Sequence, residues 1–249
     1  MEVKTFRARS MQEALQLVRR TLGPDATLLQ AREVRSGLFG WLPGARQVEV
    51  LADRFEGTRF NSLNDVALDQ AGNIFFTDPG ASSFENPVGA VYRYDIGTKK
   101  TTRLAEGLAY PNGIGVAPSQ RYLCVGESDR YRLLIFDLDA AAGSVSNQRV
   151  LIDFPQDTQG DVLGGKFAPD GFVFDTSGRL YVAMWVGGVV NVVDVPSGTL
   201  VRQYSAGGGQ ATNGHFHGPY LYTTVAAKEA VFRLKLGVQC HEYWVLPDK

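Results

Sequence analysis

Four side chains with oxygen donors, Asn64, Asn112, Asp170 and Asn213, each stand at the head of a short apolar run: "NDVALD", "PNGIGVAP", "PDGFVFD" and "TNGHFHG". Singly, each is as well read as a turn former, because proline fixes φ and Asn or Asp bonds the local backbone. Together they recur at separations of 48, 58 and 43 residues, close to the ~40–50 residues of one propeller blade. In a propeller the innermost strand of each blade lines a central channel, so the polar heads of several blades converge there. Three amides and one carboxylate are donors for a hard cation such as Ca2+ rather than for zinc.

Other candidates are weaker. His215 and His217 in "NGHFHG" lie two apart, hence on one face of a strand; such a pair can bind metal or move protons, and a partly exposed structural role is the commoner one. Trp185 reads as blade packing or channel wall, Asp78 as closing a turn, and Glu127 and Asp129 as a solvated turn at the rim. "GDVLGGKF" (160–167) has the spacing of a phosphate loop but ends in Phe167, where a hydroxyl should hold Mg2+, and a turn follows it instead of a helix. Cys124 and Cys240 are too few for a disulfide framework, and Cys124 in "RYLCVGES" reads as a small buried hydrophobe.

The elements that position these residues fall into two textures. Residues 1–53 read as a small βαβ segment. "EVKTFRA" alternates like a strand, Ser10 and Glu13 have the spacing of a capping box, and Met11, Ala14, Leu15, Val18 and Leu22 form one helical stripe. Gly23-Pro24 stops the helix, and "ATLLQAREV" (26–34) and "RQVEVLA" (46–52) are further strands. From about residue 51 the pattern becomes short strands punctuated by Gly, Asp, Asn and Pro. Four units of polar turn, strand, turn and strand are recognisable, each followed by further strands, and four strands make a blade. "VLADRFEG" (50–57) reads as an outer strand of a blade whose inner strands are gone. The fold class expected is therefore mainly β, an incomplete propeller of about four blades preceded by βαβ.

The whole chain, 249 residues with 44% hydrophobic and 20% charged and a net charge of −1, has an ordinary globular composition. No apolar N-terminal stretch marks a signal peptide and no run approaches the ~18 residues that cross a bilayer. A cytoplasmic protein with no membrane span and no nucleic-acid partner is expected.

Two resemblances refine this. "VKTFRARSMQEALQLVRRTLGPDATLLQAREV" and the following "GLFG" resemble the N-terminal segment of the flagellar GTPase FlhF over about residues 1–53. The GTPase domain of that family has no counterpart in this sequence. "RFEGTRFNSLNDVALDQAGNIFFTDP", "LAYPNGIGVAPS", "APDGFVFDTSGRLYVAMW" and "VFRLKLGV" resemble the regucalcin/gluconolactonase/luciferin-regenerating enzyme family over about 51–243. That resemblance implies a truncated propeller domain over 54–249, from a family of six-bladed propellers that hydrolyse sugar lactones and related esters with a divalent metal. It implies metal ligands at Asn112 and Asp170, a substrate contact at Asn64, and Asp170 also as the group that takes a proton from water. Ca2+, or Mg2+, Mn2+ or Zn2+, is the implied cofactor. The family's ligand glutamate, in an "EGP"-type strand, is not found. The alternative is a non-catalytic propeller scaffold or interaction module, and either form can self-associate through open strand edges.

Overall fold

A computed structural model describes residues 4–8, 16, 20, 30–33, 46–154 and 168–238. The first segment corrects the expected βαβ unit. Its strands β1 (Lys4–Ala8), β2 (Gln30–Glu33) and β3 (Arg46–Val50) form one sheet in the order β1-β3-β2, and both pairings are antiparallel. Because β3 pairs antiparallel with both, β1 and β2 run parallel to each other but are not neighbours, as the two strands of a simple βαβ unit are. No α-helical element stands among the described residues. Of the helix expected over 11–22 only Gln16 and Arg20 are described, two separate residues that make no element. The capping box at Ser10 and Glu13 lies outside the described residues, as does the phosphate-loop look-alike at 160–167.

The four expected blades are present. Blade 1 is β6 (Val66–Leu68), β7 (Ile74–Asp78), β8 (Gly89–Asp95) and β9 (Lys100–Leu108). Blade 2 is β10 (Pro111–Val116), β11 (Tyr122–Glu127), β12 (Arg132–Asp139) and β13 (Ser144–Asp153). Blade 3 is β14 (Pro169–Phe174), β15 (Arg179–Met184), β16 (Val189–Asp194) and β17 (Thr199–Ser205). Blade 4 has three described strands, β18 (Ala211–His217), β19 (Tyr220–Val225) and β20 (Ala230–Lys235). Each is an antiparallel meander with strands in sequence order. Before them, β4 (Arg54–Phe55) and β5 (Thr58–Arg59) make a short hairpin rather than the remnant outer strand expected at 50–57.

The side-chain pattern explains the stacking. Middle strands such as "IFFTD", "YLCVGE" and "RLYVAM" are buried on both faces, whereas the outer strands β13 and β17 are mostly exposed. Because side chains alternate across a strand, β11 sends Leu123 and Val125 into a core shared with Phe75 and Val91 of blade 1. Its Cys124 enters the core that holds Phe172, Phe174, Leu180 and Val182 of blade 3. A third core, with Tyr181, Val190 and Val192 against Phe216 and Leu221, joins blades 3 and 4. Burial pushes the Cys124 thiol up to about 12, as suits the small buried hydrophobe expected there.

These cores set the inner strands side by side in the order β6, β10, β14, β18. Among the described residues β18 does not pack along β6 as each inner strand packs along the next, so the blades form an open array. No described helix is long and apolar enough to cross a membrane.

Candidate functional site

The heads of the inner strands are stitched together by contacts that only certain residues allow. The Thr77 hydroxyl, buried at the end of β7, accepts from the Asp65 N–H (3.1 Å) and donates to the Asn112 carbonyl (2.8 Å), tying blade 1 to blade 2. Gly113 sits so close to the next blade that a Cβ there would lie 2.3 Å from the Asp170 carbonyl oxygen. A Cβ at Gly171 would lie 2.3 Å from Cγ of Asn213. Glycine at 113 lets the neighbouring backbone approach, and glycine at 171 makes room for the Asn213 side chain.

This brings Asn112 and Asp170 together, as the spacing and the resemblance suggested. The Asn112 amide donates to the Asp170 carboxylate, as does the Gly171 N–H. A second carboxylate, Asp65, which the sequence offers only as the former of an Asx turn after Asn64, stands close by. Asp65 holds the Val66 N–H on Oδ1 (2.9 Å) and the Ile114 N–H on Oδ2 (3.1 Å). Burial, and then the charge of Asp65, push the Asp170 carboxyl up to about 7, against the lowering effect of its two hydrogen bonds. Burial raises Asp65 as well, opposed by its two backbone donors. Among the described residues neither carboxylate takes part in an ion pair.

Asn64, expected to contact substrate, is exposed at the turn before β6, where its N–H donates to the Thr77 carbonyl (3.0 Å). Its neighbour Asp65 reaches Asp170 electrostatically instead. Asn213 lies against Gly171, one residue from Asp170, and its Oδ1 accepts its own neighbour's N–H, that of Gly214, at 2.8 Å. The pairing register shifts at the head of three inner strands, between Pro111 and Ile114, Pro169 and Phe172, and Ala211 and Asn213. Such bulges re-aim side chains beside functional sites, so spacing alone does not say which of two adjacent polar residues faces inward.

The remaining candidates sort cleanly. Asp78 does more than close a local turn: buried at the end of β7, its carboxylate accepts from the N–H groups of Asn61 and Ser62 (2.8–3.2 Å), 17 and 16 residues earlier in the chain. Glu127 is no solvated rim residue: it is fully buried, accepts from the Ala109 N–H (2.8 Å), and pairs with Arg132 (2.6 Å) and Arg130 (3.5 Å). Trp185 is partly exposed after β15, and His215 and His217 are exposed on β18.

The donors present suit a hard divalent cation: two carboxylates that take part in no ion pair among the described residues, beside the Asn112 amide. No group of three or more His, Cys, Asp or Glu side chains placed to share a metal exists among the described residues.

Residues 19–227 match the model of the SMP-30/gluconolactonase/LRE-like region. The chain is 28% identical over 199 residues to a gluconolactonase of Zymomonas mobilis, covering 76% of this chain and 54% of that protein. It is 29% identical over 181 residues to a pentonolactonase of Haloferax volcanii, covering 70% and 58%. It thus spans about half the length of the curated relatives it matches. A gluconolactonase structure from Xanthomonas campestris superposes with a TM-score of 0.60 at 26% identity, over 74% of this chain and 60% of that one. A luciferin-regenerating enzyme shares the fold, with a TM-score of 0.67 at 22% identity over 82% and 72%. The family match begins at residue 19, inside the stretch expected to be a flagellar-GTPase-like segment, an expectation that the comparisons do not support. The chain belongs to the SMP-30/gluconolactonase/LRE-like family.

Proposed function

We propose that this chain hydrolyses a sugar lactone or a related ester, using a divalent cation, Ca2+ first, held by Asn112 and Asp170 with Asp65 beside them. The observation that carries the reading is the Asp170 carboxyl. It is fixed by Asn112, crowded by a second carboxylate and takes part in no ion pair among the described residues, in a chain whose relatives include proteins named gluconolactonase and pentonolactonase. A bound cation would supply charge to polarise the lactone carbonyl and to stabilise the oxyanion that forms as water adds.

The protein's own part is positioning and proton transfer. Asn112 orients the Asp170 carboxylate through its amide. Asp170, whose proton affinity is raised toward neutrality, takes a proton from the attacking water and returns it to the ring oxygen as the acyl–oxygen bond breaks, giving the open hydroxy acid. Thr77 and Gly113 hold these heads in register. Asn64, exposed beside Asp65, is proposed to contact a substrate hydroxyl.

Calorimetry with Ca2+, Mg2+, Mn2+ and Zn2+, together with a panel of aldonolactones, tests the reading. Asp170→Asn should abolish binding of the oxygen-seeking ions and hydrolysis together, and Asn112→Ala should weaken binding less, since only a neutral donor is lost. The modest donor set of two carboxylates favours a second reading, a propeller module without catalysis. A parent chain that binds neither Ca2+, Mg2+ nor Mn2+ and opens no lactone decides for it.

A further inference from the structure

We propose that His215 and His217 form a second metal site, for a borderline-soft ion such as Zn2+, Ni2+ or Cu2+, on the outward face of blade 4. The register fixes which face carries them. His215 pairs with Tyr222 and His217 with Tyr220, and these in turn pair with Arg233 and Lys235 on β20. Directly opposed residues share a face, so the two histidines, the two tyrosines and the two cations lie together. The residue between them, Phe216, pairs with Leu221, and both are buried in the core shared with blade 3. The histidine face is therefore the one turned away from the rest of the array.

The site has the geometry of a chelate. Residues two apart on a strand are about 6.5–7 Å apart with side chains parallel, and two exposed imidazoles at that spacing can close on one ion at the ~2.0–2.1 Å of a zinc–nitrogen bond. Arg233 is engaged away from the histidines: it lies over the Tyr220 ring at 4.5 Å, one strand further out. Asn213, two residues before His215, has its Oδ1 engaged by the Gly214 N–H, which leaves the other coordination positions to water or to a donor from another molecule. Imidazole selects against Ca2+ and Mg2+, which take oxygen, and follows the order in which Cu2+ binds most tightly. This site and the channel site thus differ in the ions they take, and neither depends on the other.

The test uses the full chain without an affinity tag. With Ca2+ in excess, ZnCl2 titrated calorimetrically should bind one ion per chain, and the Cu2+ complex should show nitrogen hyperfine coupling in its electron paramagnetic resonance spectrum. His215→Asn and His217→Asn should each weaken Zn2+ binding at least tenfold while leaving Ca2+ binding and the melting temperature in EDTA unchanged. Cys240 and His241, the other closely spaced pair of Cys or His residues in the sequence, serve as the control. Cys240→Ser combined with His241→Asn should leave Zn2+ binding intact. A parent chain that binds no Zn2+, unaltered binding in His217→Asn, or loss of binding in the Cys240/His241 variant overturns the proposal.

Discussion

The two ends of the blade array meet solvent in opposite ways. Blade 1 presents an apolar outer face, with Ile74, Phe76, Ala90 and Tyr92, and the β4–β5 hairpin region closes over it. The Phe60 ring stands edge-on to Phe76 at 5.2 Å and to Tyr92 at 5.0 Å. Phe55 packs on Tyr92 at 5.4 Å, and Arg103 lies over Phe55 at 5.3 Å. Blade 4 presents His215, His217, Tyr220, Tyr222, Arg233 and Lys235, the polar tips that water can serve. The faces between blades are apolar throughout. A blade face thus announces in its own residues whether it is built to be covered, and the two ends of this array carry different answers.

The comparison is broken most directly at Phe60. Phe60→Ala removes the ring that touches both Phe76 and Tyr92, and should destabilise the chain by about 2–3 kcal/mol, below the ~3–5 kcal/mol of a fully buried Phe→Ala because Phe60 is only partly buried. Urea unfolding followed by circular dichroism measures it. A loss under ~0.5 kcal/mol would mean that the hairpin merely rests on blade 1.

How far these features were legible in the sequence depends on the range of the interaction that fixes them. Turns such as "LDQAGNIF" and "FDTSGRLY" are local, and they mark the blade starts: Asp69 and Asp175 bond N–H groups within four residues, with Gly72 and Gly178 at positive φ. Asp65 was hidden because a choice between adjacent residues is made by backbone pairing at the strand head. Glu127 looked like a rim residue because its partner Arg132 faces it across a β-pairing and its Ala109 donor comes from the connection that follows the preceding blade's last strand. In the first segment the strands were legible one by one. Their order was not, since β3 enters between β1 and β2 through pairings that span 13 to 46 residues.

The channel sharpens the comparison, because there polarity is held in place without being fully solvated. A carboxyl whose pKa in the folded chain lies near 7, above its unfolded 3.8, keeps a proton that the unfolded chain gives up between about pH 4 and 7. Its contribution to stability is present below that window and falls as pH rises through it. In EDTA, Asp170→Asn should therefore match the parent near pH 4 and exceed it at pH 8 by about 2 kcal/mol, a value discounted for partial exposure. With saturating Ca2+ at pH 8 the parent should gain stability and the variant should not, since only the parent's carboxylate repays the ion. Thermal melts at both pH values, with and without Ca2+, check the sign. A variant less stable than the parent in EDTA at pH 8 would place the Asp170 charge among the stabilising groups.

The smallest effect is expected at Val231, and it tests the open end. Val231 is 65% exposed on β20, on the same face as the blade 4 histidines, and pairs with Thr224, whose hydroxyl bonds that of Thr212. A face that water serves should accept a charge there. Val231→Lys loses some β-propensity and little else, so the unfolding free energy should change by no more than ~0.5 kcal/mol. Light scattering should give the same mass for both chains. If the parent forms a dimer that Val231→Lys dissociates, with a stability loss above ~1 kcal/mol at dilutions where the parent stays paired, then this face is covered by a second copy. The two ends would then share one solution, a cover, differing only in whether it comes from the same chain.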